Sequence, residues 1–501
     1  MSQPLPAESL PPATPTAQQT GRRILINTGA LAGSSLWRIA TSFLLQLFIA
    51  RQLGVVSLGQ YTIALAYLHV CQVISELGLP ALLVRDLAQM PWLRRSYFQI
   101  ALRIQSVMAL LAWGSLFLVT LVLPLPTTTQ TILWIVGASL PFYAVTSACQ
   151  MLFQSGERME YVMGIELLVN TLILLFSLAS LLRGGTIYHL VAILVLTQAI
   201  SAGLSVLLVR HSKVLTPPQE AVAWQWSMLW QRSGPFFGLA LADVLLQRTD
   251  IVLLSIFGGE VIAGIYSAAY NLLRVALKLV QNFWAALYPT LSRLHHQTPA
   301  HYRRLAALML YYSLLTLLAA SAIGAGVTPE ILTLVYGKGF RESALVLQIL
   351  IWTAPFYLLE NYIQTVLMIE RHPLQSLLIT GVHLTTLVIL LPLLIGNHTT
   401  LPHPSSAAVS AALAVLIAGA GGALSSIWLR YRWQLPGNVR RPWLVCALVL
   451  VLALIALYLP VFWLWRIGLA LCVFALFAWF GGLFHQQDWA LLQRVLRRAP
   501  N

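Results

Sequence analysis

The sequence predicts an all-α, polytopic membrane protein with about fourteen transmembrane helices. Of its 501 residues, 58% are hydrophobic and only 9% are charged, and the mean hydropathy is +0.79. A soluble chain of this length needs far more charge to cover its surface. Apolar runs of about twenty residues, the length that crosses a bilayer, recur along the chain. The loops between these runs are alternately basic and nearly uncharged, which supports the same number of spans.

The apolar runs begin after residue 20. Residues 1–20 are rich in Pro, Ala, Thr and Gln, so we expect a disordered cytoplasmic tail there. We expect the first span itself to act as the insertion signal, because no cleavable signal peptide precedes it. The predicted spans are 24–49, 58–77, 99–123, 131–153, 161–182, 187–209, 234–257, 261–288, 305–327, 345–369, 374–395, 407–429, 443–459 and 461–484.

Basic residues in the loops set the orientation. The net charge of +15 is not gathered in one patch, so nucleic acid is not an expected partner. By the positive-inside rule, the basic set of loops faces the cytoplasm, which places both termini there and the protein in the cell (inner or plasma) membrane. The basic set comprises Arg22, Arg23, Arg85, Arg94, Arg95, Arg158, Arg210, Lys213, Arg232, Arg293, Arg303, Arg304, Arg371, Arg430, Arg432, Arg440, Arg441, Arg494, Arg497 and Arg498. The alternate set comprises only Arg51, Arg183, Lys338 and Arg341.

An internal repeat organises the chain into two lobes. A Gly, a second Gly five residues later and a Tyr two residues further occur after the first span and again after the seventh, at a shift of 205 residues. Six spans separate the copies, so the two lobes should be parallel repeats. We expect an N-lobe at 21–210, a cytoplasmic linker at 211–233, a C-lobe at 234–430, and two further helices with a basic tail at 431–501. The two copies consist of Gly54, Gly59 and Tyr61 and of Gly259, Gly264 and Tyr266.

Five sequence stretches carry a family resemblance. They are ARQLGVVSLGQY, ELGLPALLVRDLA, QRTDIVLLSIFGGEVIAGIYSAAYNLLRV, LYPTLSRL and LVYGKGFRESALVLQILIW. These stretches resemble signature patterns of the polysaccharide-transport (Wzx-type) oligosaccharide-lipid flippases. That family belongs to the multidrug/oligosaccharidyl-lipid/polysaccharide exporter superfamily, with the lipid II flippases and the multidrug and toxin extrusion transporters. The resemblance covers roughly residues 22–430, and the last two spans are less diagnostic.

The resemblance implies two six-helix lobes, as in the lipid II flippases and multidrug extruders, around a cavity that opens alternately to each side. It also implies a function: a flippase that moves polyprenyl-diphosphate-linked oligosaccharide from the cytoplasmic to the outer leaflet for cell-surface polysaccharides such as lipopolysaccharide O-antigen. The expected partners are this substrate, the phospholipid bilayer and other polysaccharide-assembly membrane proteins. We expect no covalent catalysis and no cofactor, and a coupling ion, H⁺ or Na⁺, cannot be assigned.

Four cations within the spans are candidate substrate-binding residues: Arg38, Arg248, Arg274 and Lys278. A formal charge near the bilayer centre costs about 2.5–3.5 kcal/mol, so such residues usually face a cavity or a partner. Arg274 and Lys278 lie four residues apart and therefore share one helix face. Neighbouring cations need an anion nearby, and a diphosphate headgroup is a suitable one. The alternative is that both residues lie near a membrane boundary and snorkel to water.

Four carboxylates, Glu76, Asp243, Asp250 and Glu360, are candidates for ion coupling or for structural ion pairs. The two roles remain equal alternatives. Under the 205-residue shift Asp243 corresponds to Arg38, which suggests an ion pair between the two lobes.

Two other functions remain open at this point. One is a multidrug or cation antiporter of the sister family, which a cationic cavity disfavours because cationic drugs would be repelled. The other is a multispanning membrane glycosyltransferase or polymerase. Such an enzyme should carry larger outer loops with catalytic residues, whereas the longest predicted outer loop, near residues 328–342, is modest.

Overall fold

The computed structural model describes residues 17–123, 125–212, 214, 226–396, 404–433, 448–449, 451–452 and 462–480. Within these ranges the chain is helical and contains no β-strand. Residues 1–16 of the predicted tail, most of the predicted linker, nearly all of the span at 443–459 and the basic tail after residue 480 lie outside them.

The described chain forms sixteen α-helices, labelled here in chain order. Two of them begin before the predicted spans: α1 starts at Ala17, within the tail predicted to be disordered, and α8 starts at Trp226, within the predicted linker. The helices are α1 (Ala17–Glu76), α2 (Leu79–Gln89), α3 (Arg94–Val122), α4 (Thr127–Gly137), α5 (Leu140–Ser155), α6 (Met159–Leu182), α7 (Ile187–His211), α8 (Trp226–Phe257), α9 (Gly259–Gln297), α10 (Pro299–Gly326), α11 (Thr328–Val335), α12 (Ser343–Leu350), α13 (Thr353–Ile369), α14 (Pro373–Gly396), α15 (Pro404–Trp433) and α16 (Trp463–Phe480).

The protein is a multi-pass membrane protein. Among the described residues, nine helical segments are long and apolar enough to cross a membrane. The charged helices α8 and α9 are not among those nine, although they contain 32 and 39 residues. At 1.5 Å per residue, both exceed the roughly 30 Å of a bilayer core. Their length and position therefore fit the seventh and eighth predicted spans.

Two predicted spans prove to be pairs of helices. The span predicted at 131–153 breaks between α4 and α5, and the span predicted at 345–369 breaks between α12 and α13. Proline explains both positions. Pro141 lies in the first turn of α5 and Pro355 in that of α13, where a residue without a backbone N–H costs no helical hydrogen bond. Hydropathy alone does not reveal such breaks, because the interruption is as apolar as the helices around it.

Glycine bends the chain at matching positions of the repeat. α1 contains two predicted spans, and Gly54 between them has φ +82°, a conformation that interrupts the helix. Gly259, the first residue of α9, has φ +78°. Glycine adopts such angles without the steric cost that a Cβ atom imposes. The two residues therefore start equivalent helices, the second arm of α1 (residues 55–76) and α9.

These two helices cross where the second glycine of each copy lies. A Cβ added to Gly59 would lie 2.0 Å from the carbonyl oxygen of Glu260, and one added to Gly264 would lie 2.1 Å from that of Val55. Val55 and Glu260 are themselves related by the 205-residue shift. The contact is therefore reciprocal, as expected for two equivalent helices packed across a pseudo-twofold axis. The predicted pseudo-symmetry is confirmed at this crossing.

The crossing joins two groups of helices. We call residues 17–212 the N-terminal half and residues 226–433 the C-terminal half. α1 packs against α3, α4, α5 and α6 of its own half and against α8 and α9 of the other. The largest apolar core contains residues of both halves. α16 packs on α10, and its Arg466 forms an ion pair with Glu330 of α11.

Candidate substrate-binding site

The four predicted cations come together between the two halves. Arg38 lies on the first arm of α1, Arg248 on α8, and Arg274 and Lys278 one turn apart on α9. Lys278 interacts electrostatically with the other three. Arg38 is exposed, and the remaining three are half-buried. Residues from three helices and both halves thus form one positively charged group, which we call the cation cluster.

No carboxylate forms an ion pair with a member of the cation cluster among the described residues. Lys278 donates a hydrogen bond from Nζ to Gln281 Oε1 at 2.7 Å, so its direct partner is neutral. Placing several like charges within interaction distance in a poorly solvated region is unfavourable unless an anion or water joins them. The cluster therefore has the properties of an anion-binding site.

Asp250 lies beside the cluster without being its counter-ion in a direct pair. Its side chain is 3% exposed. Oδ2 accepts a hydrogen bond from the Tyr266 hydroxyl at 2.7 Å, and Oδ1 accepts one from the backbone N–H of Ile251 at 2.8 Å. Its charge acts on Arg248 and Arg274. Both of its oxygens are thus bound within the C-terminal half, and neither forms the predicted ion pair with a neighbouring arginine.

The suggested ion pair between Arg38 and Asp243 is not formed in this structure. Asp243 is exposed, and its Oδ2 accepts a hydrogen bond at 2.8 Å from Gln247, one turn along α8. Gln247 satisfies the carboxylate locally, so no contact across the halves is required. Asp243 nevertheless acts electrostatically on Lys278. The repeat relates the positions of the two residues but does not determine their partners.

A histidine and a tyrosine also lie near the cluster. His69, on the second arm of α1, binds the carbonyl oxygen of Leu65 through Nδ1 and interacts with three arginines of the cluster. Tyr270 stacks on Tyr266 with ring centroids 5.6 Å apart, and it interacts with Arg248 and Arg274. Sequence analysis did not single out His69. The feature of the sequence that could have identified His69 is an isolated histidine inside a predicted span.

Glu76 lies in a neutral, hydroxyl-rich environment of the N-terminal half. Its Oε1 accepts hydrogen bonds from the Tyr143 hydroxyl at 2.7 Å and from Ser147 Oγ at 2.8 Å. Tyr143 is in turn influenced by Arg38 and by Glu166 of α6. Glu76 is therefore close to the cluster through Tyr143, but it has no cation as a direct partner.

Glu360, the fourth predicted carboxylate, lies away from the cluster inside the C-terminal half. It is 3% exposed and pairs with His383 of α14, whose Nδ1 lies 3.0 Å from Oε1 and 3.1 Å from Oε2. Sequence analysis did not identify His383. Its distance of 23 residues from Glu360 reflects packing between two helices and has no local sequence signal.

Contacts between the halves close the structure near Gly54, which we call the Gly54 end. Arg51 donates hydrogen bonds to the carbonyl oxygens of Leu334 (2.6 Å) and Val335 (2.7 Å) at the end of α11. Gln60 donates a hydrogen bond to Glu260 at 2.9 Å, and Thr129 also binds this carboxylate.

A second set of contacts closes the opposite end, which we call the Asp86 end. Arg232 of α8 forms an ion pair with Asp86 of α2 at 2.6 Å, and Arg85 stacks its guanidinium over Phe236 at 5.4 Å. Residues 55–76 span about 33 Å between the two ends. This length matches the thickness of a bilayer core, so the two ends lie on opposite sides of the membrane. The cation cluster is located between the two ends, and contacts join the two halves at both.

Residues 24–295 match the family model described as polysaccharide biosynthesis protein, a match over more than half of the chain. The chain belongs to this family. The resemblance inferred from the sequence motifs is thereby confirmed. No curated protein sequence is significantly similar to the chain.

Several solved membrane transporters have the same fold as this chain. The lipid II flippase MurJ, in an inward closed conformation, has a TM-score of 0.69 at 13% identity and covers 91% of this chain and 98% of its own. An inward-facing multidrug resistance MATE transporter has a TM-score of 0.60 at 10% identity, and the match covers 80% of this chain and 94% of the transporter. The Vibrio cholerae MATE transporter VcmN has a TM-score of 0.53 at 14% identity, covering 83% and 98%. At these identities the likeness shows the fold, and the predicted fold class is confirmed.

Proposed function

We propose that this family member is a flippase that moves polyprenyl-diphosphate-linked oligosaccharide from the cytoplasmic to the outer leaflet of the cell membrane. The observation that carries the proposal is the cation cluster: four cations between the halves, none of them in an ion pair with a carboxylate among the described residues. A diphosphate supplies charge and several acceptor oxygens, and charge-assisted hydrogen bonds from arginine to phosphate are among the strongest available.

The N-terminal half supplies groups suited to sugar hydroxyls. Trp37 donates a hydrogen bond from Nε1 to Thr171 at 3.0 Å, and both lie near the level of Arg38 on neighbouring helices. Glu76 and Tyr143 add an acceptor and a hydroxyl on the same side. We propose that the oligosaccharide contacts this hydroxyl-rich half while the cluster binds the diphosphate. The prenyl chain remains in lipid between the halves.

The contacts at the two ends support alternating access. A polar headgroup cannot cross hydrocarbon unaided, so it must be enclosed by the protein and then released on the other side. Opening the Asp86 end requires breaking one ion pair, and opening the Gly54 end requires releasing the Arg51 and Glu260 contacts. We propose that the Asp86 end faces the cytoplasm, with both termini, because the basic loops are on that side. No covalent step is needed, and other polysaccharide-assembly membrane proteins would supply and consume the substrate.

The direct test is transport in proteoliposomes. A labelled polyprenyl-diphosphate oligosaccharide is added to the reconstituted protein, and an impermeant reagent measures how much label reaches each leaflet. We expect flipping by the wild type. We expect a loss of at least about a hundredfold when Arg38, Arg274 and Lys278 are all changed to Gln, because each charged hydrogen bond contributes about 1.5–3 kcal/mol.

The matched control is Arg183→Gln, a neutralised cation in an exposed turn outside the cluster, which should flip normally. Normal flipping by the triple variant would show that the cluster does not bind the headgroup. Formation of a new glycosidic bond would instead support the polymerase alternative, and transport of cationic drugs would support the antiporter.

A further inference from the structure

The pair of Glu360 and His383 lies inside the membrane-spanning part of the C-terminal half. Glu360 is near the middle of the span at Ser343–Ile369, and His383 is near the middle of the span at Leu374–Gly396. Glu360 is 3% exposed and the His383 side chain is 14% exposed. Water therefore reaches the pair only in small amounts. A carboxylate and an imidazole in such a place share a proton most favourably, because the pair is then neutral overall.

The third helix, α15, is shaped around this pair. A Cβ added to Gly422 would lie 1.7 Å from Glu360 Oε1 and 3.3 Å from the Cβ of His383. Only glycine leaves room for the carboxylate at this point. Gly419, one turn earlier, has His383 Cε1 at 4.0 Å from its added Cβ. The backbone of α15 thus packs directly against the two titratable groups.

Other charged or titratable groups near the pair lie on the helices packed around it. On α13 itself, Tyr357 interacts with Glu360. From α8, which packs against α14, Asp243 interacts with Tyr357, and from α9 Tyr270 does so. His383 is the only titratable residue of α14.

The remaining neighbours act elsewhere. Tyr302 of α10 binds Glu370, at the far end of α13. Arg430 of α15 acts on Tyr362, on the other side of α13. α12 has no titratable residue. Tyr357 is acted on both by Glu360 and by Asp243, so it connects the surroundings of the pair with those of Asp243.

That link leads to the cation cluster. The helices of the pair pack against helices of the cluster, α13 against α9 and α14 against α8. Asp243 of α8 acts on both Tyr357 and Lys278. We propose that the Glu360–His383 pair is a proton-binding site whose occupancy controls how strongly the cation cluster binds a diphosphate. The inference rests on the proposed function, since it assigns the ion that is coupled to the flipped substrate.

The charge balance gives the sign of the coupling. With one shared proton the pair has no net charge, either as carboxylate with imidazolium or as carboxylic acid with imidazole. When the proton leaves to water, the pair carries one negative charge. This negative charge lowers the positive potential at the cluster, so a diphosphate binds more weakly. By reciprocity, binding of the diphosphate draws a proton from solution onto the pair.

The test is calorimetric titration of the full-length protein in lipid nanodiscs with farnesyl diphosphate, between about pH 5 and pH 8. Two buffers with different ionisation enthalpies reveal how many protons are taken up on binding. We expect proton uptake and an affinity that rises at low pH by about fivefold or more. Glu360→Gln imitates the protonated state, so it should bind with the low-pH affinity of the wild type throughout.

A matched control lies one turn away on the same two helices. Gln364 donates a hydrogen bond to Thr380 at 3.3 Å, so Gln364→Leu removes a contact between α13 and α14 without a titratable group. It should keep the pH dependence of the wild type. His69→Gln tests the histidine next to the cluster and should also keep it.

Each other outcome decides against the proposal in a distinguishable way. Tight binding without proton uptake by the wild type would overturn the proton site and leave the proposed function standing, and this measurement needs no variant to fold. Loss of the pH dependence in His69→Gln but not in Glu360→Gln would mean that His69 takes up the proton. That result would also overturn the proposed proton site. Absence of binding at every pH would overturn the diphosphate site and the proton site together.

Discussion

The second arm of α1 in the N-terminal half and α9 in the C-terminal half start from equivalent glycines and cross each other through reciprocal contacts. Their polar residues nevertheless differ. The arm of α1 ends in Glu76, whose partners are the neutral hydroxyls of Tyr143 and Ser147. α9 carries Arg274 and Lys278 near the buried Asp250. The backbone plan is therefore repeated, whereas the charges are not. A repeat of this kind fixes where helices cross but leaves each half free to contact a different part of a substrate.

The largest expected effect concerns the feature that the halves share. Gly59→Ala should destabilise the protein by about 1–3 kcal/mol or more, because the new Cβ meets the backbone oxygen of Glu260 at 2.0 Å and neither helix can yield locally. Gly264→Ala should cost a similar amount, since its Cβ meets Val55 O at 2.1 Å. Thermal unfolding in detergent measures both.

Gly114→Ala on α3 is the control for this comparison. Nothing lies within 4 Å of its added Cβ, so the change should be neutral or stabilising by up to about 1 kcal/mol. If Gly59 and Gly264 tolerated alanine as Gly114 does, or if only one of them were sensitive, the reciprocal crossing would not describe the folded protein.

A smaller effect should separate the two carboxylates. Asp250 uses both oxygens, one for the Tyr266 hydroxyl and one for the N–H of Ile251. Asp250→Asn keeps only one acceptor and removes a negative charge beside two arginines, so we expect a loss of about 1–3 kcal/mol of unfolding free energy.

Glu76 should respond differently to the same kind of change. Its two hydrogen bonds go to a single oxygen, Oε1, which a glutamine retains. Glu76→Gln should therefore cost less than about 1 kcal/mol. Denaturation of both variants beside Glu342→Gln, an exposed carboxylate, measures the difference. Equal losses for Asp250→Asn and Glu76→Gln would mean that the surroundings of the two carboxylates are not as distinct as the hydrogen bonds indicate.

The smallest effect concerns the two ends of the structure. Arg232→Gln removes the ion pair with Asp86 and should raise the labelling rate of a cysteine probe, Ser233→Cys, by about fivefold, as expected from about 1 kcal/mol for a partly exposed pair. Ser233 is 2% exposed at this end. The measurement uses an impermeant maleimide and a protein whose four native cysteines are replaced by alanine.

Arg51→Gln is the reference at the opposite end. It loosens contacts to Leu334 and Val335, so it should favour opening at the Gly54 end and leave labelling of Ser233→Cys unchanged or slower. Faster labelling in both variants would indicate general loosening of the protein instead of two separate closures.

The sequence by itself determined the class of the protein and its order of spans. Hydropathy and loop charge are summed over about twenty residues at a time, so they identify membrane helices without any knowledge of packing. The Gly-Gly-Tyr repeat likewise predicted two related halves. The structure then showed that its glycines provide the positive φ of Gly54 and the close approach at Gly59. The hydropathy of the spans also identified four candidate cations, because a charge in an apolar span is costly and therefore uncommon. They are Arg38, Arg248, Arg274 and Lys278.

Only the tertiary structure decided which charges are partners. The sequence suggested Arg38 with Asp243, yet Asp243 binds Gln247, and Glu360 binds His383, which sequence analysis passed over. The breaks before Pro141 and Pro355 were missed for a related reason, since hydropathy does not depend on helix continuity. Partners are set by how helices distant in sequence pack side by side. A short-range contact of about 3 Å changes with a small rotation of either helix, and no local pattern of residues records that rotation.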